Sequence, residues 1–357
     1  MLEIEILSHI FYHEKAALRS FPGNLAISLN RKEIETIKYG YVWSLKVDGD
    51  RAFVFVIKNS FTGLTKMWSI DRSMTRHGDY PLAFEKTNNQ ISVFDAEVCS
   101  DGKLIYIFDT LMHDNVVCIR ECFSKRIERA RQFLTSIGSQ EIQNQTWWWS
   151  KDIQQKHFFP SKFDIDFTAT LGGKKLVVKP IFHLTSLKDI YTILTERVAN
   201  DGIVLTRLLQ KYTTFASDPL AVLKWKPLNM ITIDVKMIFG SKRLPTTIFE
   251  IPEEFSTDTS GDVLLAVTTK RVSGVQTESQ TSNTDKFKDT PIAFGSFDFN
   301  MFTKNFLDSK IGEFKFFAGK WILVRVREEK TTSNSMNTII KTIENLTDVI
   351  YIDELFI

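Results

Sequence analysis

The chain has 357 residues, 43% of them apolar and 25% charged, with a net charge of +2, which is enough length for two domains, each with its own core. No apolar run is long enough to cross a bilayer and no signal-peptide pattern follows Met1, so an intracellular protein without membrane contact is expected. Near-neutrality argues against a protein that coats long nucleic acid by counterion release, though not against one that grips only an end. The three cysteines, Cys99, Cys118 and Cys122, lack zinc-ligand spacing and an even disulfide count, so reduced, small, buried thiols are expected.

Glu3-Ile4-Glu5 reads as a solvated strand face. Tyr41 to Leu45 and Ala52 to Ile57 are apolar, β-rich runs. Lys46-Val47-Asp48-Gly49, with Arg51 beyond, therefore sits where a strand ends in a turn. A deprotonated lysine amine in such a place can attack phosphorus and carry a nucleotide as a phosphoramidate. A free lysine is almost wholly protonated at neutral pH, so the reading requires nearby cations, and Arg51, Lys224, Lys226 and a divalent metal are the available ones. Downstream come Phe94-Asp95-Ala96-Glu97-Val98 and Tyr106-Ile107-Phe108-Asp109-Thr110-Leu111. Ser124 to Ser136 is predicted as a helix, with Ile127, Ala130, Phe133 and Leu134 on its apolar face and Lys125, Arg126, Glu128, Arg129 and Arg131 mainly on the polar one.

Trp147-Trp148-Trp149 fits core packing at a domain seam or, alternatively, a docking surface. Strand-like runs return at Asp164 to Leu171 and Lys175 to Phe182, followed by Asp201-Gly202-Ile203-Val204 and Leu223-Lys224-Trp225-Lys226-Pro227. Glu97 and Asp201 stand beside apolar neighbours, a costly place for a carboxylate without a partner. Lys224 and Lys226 alternate on one strand and so point to the same face, as do Arg325 and Arg327 in Trp321 to Lys330. From Ile231 to Arg327 the chain reads as short strands joined by polar turns, with a Ser/Thr/Asp-rich loop at Ser273 to Thr290, which suits a small barrel. Ile339, Ile340, Ile343 and Leu346 are spaced as the packing face of a last helix.

Taken in order, these segments resemble the motif set of the covalent nucleotidyltransferase superfamily, which contains mRNA capping enzymes (RNA guanylyltransferases) and ATP-dependent DNA and RNA ligases. The resemblance runs from about Phe21 to Asn334. It implies an α+β fold: a nucleotidyltransferase domain (ATP-grasp-like, ligase/capping type) with antiparallel sheets over 1–230, an oligonucleotide-binding-fold (OB-fold) barrel over 231–335, and a helix at 336–357 packing back on the body. It implies Lys46 as the nucleophile, with Asp48, Gly49, Arg51 and Glu97 around the nucleotide and Phe108 stacked on its base, Tyr106 being a second candidate. Asp201, with Glu97, would hold Mg2+ or Mn2+ at the α-phosphate. Lys224 and Lys226 would serve the triphosphate, and Arg325, Arg327 and Lys330 the β- and γ-phosphates once the domains close.

Several details resemble capping enzymes more than ligases. Phe21-Pro22-Gly23 with Ala26-Ile27-Ser28-Leu29 is similar to F-P-G-x-x-P-V-S, Thr232-Ile233-Asp234 matches T-I/V-D, and Arg325 to Lys330 with Asn334 is close to R-x-R-x-D-K-x-x-x-N. Ala26 for Pro, Glu329 for Asp, and Ala216 where Gly often stands mark a divergent member, of viral type or from another AT-rich genome. The implied partners are GTP, the 5′-diphosphate end of nascent RNA, and an RNA triphosphatase, methyltransferase or RNA polymerase. The implied location is nucleus or cytoplasm, viral replication sites and virions included. Two alternatives stand beside this: an ATP-dependent polynucleotide ligase using the same lysine, and a non-catalytic nucleic-acid-binding protein on an inactive scaffold. No cysteine offers the H-C-x-x-x-x-x-R loop of a cysteine-type triphosphatase, and Glu3 and Glu5 are a weak echo of the metal-dependent tunnel type.

Overall fold

The computed structural model describes residues 2–11, 21–78, 89–99, 102–137, 168–196, 198–214, 218–240, 249–250, 260–269, 288–298, 307–317, 320–328 and 330–356. Trp147-Trp148-Trp149, Ala216, Glu329 and most of Ser273 to Thr290 lie outside these residues. Two compact units emerge, Met1–Trp225 with Ile352–Ile357, and Lys226–Tyr351.

The first unit opens with α1 (Leu2–Ile10), then β1 (Ile27–Ser28), α2 (Ile34–Ile37), β2 (Tyr41–Val47), β3 (Asp50–Asn59), β4 (Thr65–Asp71), β5 (Arg76–Gly78) and β6 (Asn89–Val98). There follow β7 (Leu104–His113), β8 (Val116–Val117), α3 (Phe123–Ser136), β9 (Thr168–Leu171), β10 (Lys174–Val178), β11 (Phe182–His183), α4 (Leu187–Thr195), β12 (Asn200–Arg207) and β13 (Val222–Trp225). One sheet runs β5-β4-β3-β6-β7-β10-β9 with β8 on β7, the other β1-β13-β12-β2-β11. Pairings are antiparallel except β10 on β7 and β1 on β13.

Strand β3 shows why the larger sheet is buried on both sides. Its alternate residues Phe53, Phe55 and Ile57 join Trp68, Ile70, Val93 and Leu111 under α1, while Val54 and Val56 join Phe94, Ala96, Ile105 and Ile107 under α3. Each such side chain contributes about 1.5–3 kcal/mol of burial, so both faces act as core. Helix α1 corrects the expectation of a strand at Glu3-Ile4-Glu5: Leu2, Ile6, Leu7 and Ile10 recur at helical spacing and pack on the sheet, and Glu3 is buried and paired with Arg76. Helix α3 falls where its periodicity predicts, but Arg126 and Arg131, expected on the polar face, are 2% and 5% exposed. Arg126 is tolerated there because a buried carboxylate meets it, as described below. Helix α4 was not anticipated from the sequence.

In the second unit, β14 (Thr232–Gly240), β15 (Phe249–Glu250), β16 (Ser260–Thr269), β17 (Lys288–Asp298), β18 (Ile311–Phe317) and β19 (Lys320–Val326) form one sheet in the order β15-β19-β18-β14-β16-β17. Ile233, Val235, Met237, Phe314, Trp321 and Leu323 form its core, and the helix Met336–Thr347 closes it with Ile339. That helix starts as its sequence dictates, with the Ser335 hydroxyl accepting from the Thr338 N–H at 3.3 Å. Its apolar spacing misled in part: Ile340 and Ile343 are exposed, and Thr342 turns inward instead. The fold is α+β, and the second unit's strand-rich architecture accords with the expected OB-fold domain.

Candidate active site

Lys46 is the penultimate residue of β2, and the turn to β3 is Asp48-Gly49. Glycine is required in that turn by crowding, since a Cβ at Gly49 would lie 2.7 Å from the Val98 carbonyl oxygen and 2.9 Å from Glu97 Cγ. The turn is thereby pressed against the end of β6. Asp48 is exposed, its N–H donating to the Ala199 carbonyl at 3.3 Å.

Opposite Lys46, the β2–β12 ladder slips: Asn200 faces Val47 and Ile203 faces Leu45, leaving Asp201 and Gly202 together against one residue. This bulge, with Gly202 at φ +130°, is what brings the Asp201 carboxylate to the lysine. Lys46 Nζ donates to Asp201 Oδ1 at 2.6 Å, and the lysine side chain keeps 28% of its exposure. Ser28, Lys224, Val204 and Ser44 form one cross-strand row, so Lys224 shares a sheet face with Ser44 and, two residues on, Lys46. Lys226 lies just past β13, where the second unit begins.

A second carboxylate and a second lysine complete the charge arrangement. Lys179 follows β10, its N–H bonded to the Ile107 carbonyl at 2.7 Å, and is 6% exposed. Burial pushes the Glu97 carboxyl up to about 7, against the pull of Lys179, Lys46, Arg72 and Arg51. Burial likewise pushes Lys179 down to about 8, with Glu97 acting against it and Lys46 adding to it. Lys179 was missed in the sequence reading. Its only local signal is a lysine closing the apolar run Leu176-Val177-Val178 before Pro180.

Phe108 is also placed by a bulge. Ala96 pairs with Ile107 and Asp95 with Asp109, so Phe108 is the extra residue between them. Its ring lies 5.5 Å from the Arg51 guanidinium carbon and 5.5 Å from Lys179 Nζ. The next residue, Asp109, is 7% exposed and is gripped by Arg126 through Nε at 2.7 Å and a terminal nitrogen at 2.9 Å. Arg126 also donates to the carbonyls of Glu121 and Gln210 at 2.6 and 2.8 Å, so the bulge is pinned from three directions. Arg51 is held as firmly: Nε and a terminal nitrogen meet the Asp95 carboxylate at 2.9 and 2.6 Å, and the other terminal nitrogen bonds the Asn24 carbonyl.

Within the second unit, Arg325, Arg327 and Lys330 are joined through two shared carboxylates, Glu313 and Asp234. Glu313 accepts from Arg325 at 2.8 Å, Arg327 at 3.2 Å and the Thr232 hydroxyl at 2.9 Å. Asp234 takes Arg327 at 3.3 Å and Lys330. Asn334 fixes this corner by accepting from the Asp234 N–H at 2.8 Å and donating its own N–H to the Asp234 carbonyl at 2.7 Å.

The catalytic-domain family model for mRNA capping enzymes matches residues 4–228, and the model for their C-terminal domain matches residues 232–356. The chain belongs to the mRNA capping enzyme family. A curated relative, the mRNA-capping enzyme subunit alpha of Saccharomyces cerevisiae, is 23% identical over 241 residues, 62% of this chain. The chain spans 48% of that relative's length. Among solved structures, a Lig E DNA ligase (13% identity, TM-score 0.34) is matched over 86% of this chain and 99% of its own. The Chlorella virus DNA ligase-adenylate (14% identity, TM-score 0.32) is matched over 85% and 99%. Among the described residues no helix is long and apolar enough to cross a membrane.

Proposed function

We propose that this member of the capping family is a GTP:RNA guanylyltransferase working through a covalent lysyl-GMP. The observation that carries the reading is the Lys46 amine held 2.6 Å from Asp201, close enough to Glu97 and Lys179 to act on the charge of both, with the Phe108 ring 5.5 Å from the Lys179 amine. Lys46 Nζ forms a bond to the α-phosphorus of GTP, the bond to the β-phosphate oxygen breaks, and pyrophosphate leaves. Asp201 Oδ1 is the nearest acceptor for the proton that the amine gives up. A terminal phosphate oxygen of 5′-diphosphate RNA then attacks the same phosphorus, the P–N bond breaks, and Lys46 recovers its proton as the 5′-5′ cap is released.

Phe108 offers an aromatic surface for the base, and Lys224 and Lys226 supply positive charge for the α-phosphate, where negative charge grows in the transition state. Arg325, Arg327 and Lys330 bind the leaving phosphates in this scheme. No group of three or more His, Cys, Asp or Glu gathers among the described residues. Glu97 and Asp201 are a two-carboxylate set, which fits a hard ion such as Mg2+ or Mn2+ that keeps water and takes phosphate oxygens as its other ligands. When bound there, such an ion would neutralise charge on the α-phosphate. The yeast relative is named a subunit, which supports a reading in which a partner supplies the triphosphatase, methyltransferase or polymerase steps in the same intracellular compartment.

The test is incubation with labelled GTP and, separately, labelled ATP in the presence of Mg2+ or Mn2+, followed by denaturing electrophoresis. Protein labelled by GTP alone, with acid-labile and alkali-stable label, supports the proposal. Labelling by ATP with sealing of nicked duplex would replace it by a polynucleotide ligase, and no label with either would leave an inactive scaffold.

A further inference from the structure

We propose that Tyr212, acting through Asp95, is a positioning residue that fixes the Arg51 guanidinium in the nucleotide site. This rests on the reading above that Phe108 receives the base of the nucleotide, with Arg51 5.5 Å from its ring. Tyr212 belongs to none of the motifs that carry the family resemblance, yet its hydroxyl is the meeting point of three segments. It donates to Asp95 Oδ2 at 2.6 Å, accepts from the Asn24 N–H at 3.3 Å, and lies 3.4 Å from a terminal nitrogen of Arg51. Burial, reinforced by Asp95, holds the phenol well above its usual range, so it remains a donor at any working pH.

Asp95 is wholly buried, and its Oδ2 receives both the phenol and Arg51 at 2.6 Å. Arg51 grips both oxygens of Asp95, so the two side chains form one planar pair that can still tilt together. A second partner for the carboxylate at a fixed point removes that freedom, and with it the freedom of the guanidinium. The phenol is itself immobile: its ring packs on Phe11 at 6.2 Å and under the Arg126 guanidinium at 5.6 Å, and its own N–H bonds the Ile119 carbonyl at 2.9 Å.

The lead-in segment is tied to the same point. Phe21 stacks on Phe53 at 4.1 Å with Arg51 5.5 Å from its ring, and a Cβ at Gly23 would collide with the Phe21 ring and come within 2.8 Å of Arg51. Arg51 is therefore enclosed by Phe21, Asn24, Asp95 and Tyr212, with the Phe108 ring 5.5 Å from its guanidinium.

The experiment is single-turnover formation of enzyme-GMP across a GTP titration, in the full chain, for Tyr212→Phe, Arg51→Lys and the double variant. Tyr212→Phe keeps the packed ring and removes only the hydroxyl. It should raise the GTP concentration for half-maximal rate about tenfold, the size of one lost hydrogen bond to a charged group, with the maximal rate within about twofold of wild type. The double variant should be no worse than Arg51→Lys. A full additional loss in the double variant, or an unchanged GTP dependence in Tyr212→Phe beside an impaired Arg51→Lys, would overturn the role of Tyr212. An Arg51→Lys variant with wild-type GTP dependence would instead overturn the placement of Arg51 in the nucleotide site. Should Tyr212→Phe not fold, Asp95→Asn against Arg51→Lys carries the same comparison, with additive losses counting against the proposal.

Discussion

Replacing Arg126 by Met should reveal how much the site depends on a pair that never touches substrate. Arg126 is 2% exposed and makes four hydrogen bonds, two to Asp109 and one each to the Glu121 and Gln210 carbonyls. Methionine keeps most of the volume but leaves the buried Asp109 carboxylate with the Thr110 N–H, at 2.8 Å, as its remaining hydrogen bond among the described residues. Removing one partner of a buried ion pair costs about 3–5 kcal/mol, and stranding the two carbonyls adds to it. A loss of about 4 kcal/mol in a unit of this size lowers the Tm by roughly 10 °C. Burial already raises the Asp109 carboxyl with Arg126 beside it, and without Arg126 the rise is larger. A raised carboxyl favours the fold below its unfolded value, and that contribution fades as pH climbs through the folded value. The deficit should therefore be larger at pH 8 than at pH 5. Urea and thermal unfolding followed by tryptophan fluorescence measure it, and Arg126→Met with Asp109→Leu should recover much of the loss. A deficit below about 1 kcal/mol, or a double variant no more stable than the single one, would refute the argument.

Lys46→Ala and Lys46→Arg should both abolish label transfer from GTP, because a guanidinium does not deprotonate to attack; label retained on either would move the nucleophile elsewhere. Arg325→Ala or Arg327→Ala should slow enzyme-GMP formation by about 2–4 kcal/mol of barrier and spare transfer to diphosphate RNA, as single-turnover rates of each step would show. Glu97, raised to about 7 by burial, favours the fold below its unfolded value and loses that contribution as pH rises through 7, so Glu97→Gln should raise the Tm at pH 8 and leave it unchanged at pH 4 while impairing adduct formation. Burial raises the Cys118 thiol to about 11; Cys122, despite burial, is lowered by Ser124 and the Lys125 N–H. Iodoacetamide at pH 8 should therefore modify Cys122 first and reach Cys118 only on unfolding, as peptide mass mapping would show.

How far the sequence could be read depended on whether a feature is local. Lys46-Val47-Asp48-Gly49 announces itself because a strand, a turn and a lysine are adjacent in the chain, and the same holds for Leu223 to Pro227. Phe108 and Asp201 were legible as residue types, yet the reason they reach the site is a ladder slip at each position, which period-two alternation cannot show. Tyr212 and Arg126 act through partners between 17 and 117 residues away, so nothing beside them in the chain marks them, while Asp95 and Lys179 stand in legible strand segments whose neighbours do not show what they meet. The helical periodicity places Arg126 on the polar face, where a charged residue usually meets solvent; the buried Asp109 that overrides this lies on a different element. In the helix Met336–Thr347 the apolar stripe is wider than the face the sheet can cover, which leaves Ile340 and Ile343 outside.

Lys46 in the first unit and the three cations assigned to phosphate in the second are already paired with carboxylates. Lys46 holds Asp201, and Arg325, Arg327 and Lys330 share Glu313 and Asp234, so three positive groups meet two negative ones. A polyphosphate arriving at such a cluster exchanges one anionic partner for another, and the side chains are already extended and ordered when it comes. The gain from binding is then smaller than bare charge would give, but less of it is lost to ordering, and the attraction depends less on salt. This fits a chain whose net charge is only +2. It also fits the chemistry proposed here, in which pyrophosphate must leave after each adduct forms: a site that held it with unopposed cations would release it slowly, whereas Glu313 and Asp234 stand ready to take the arginines back.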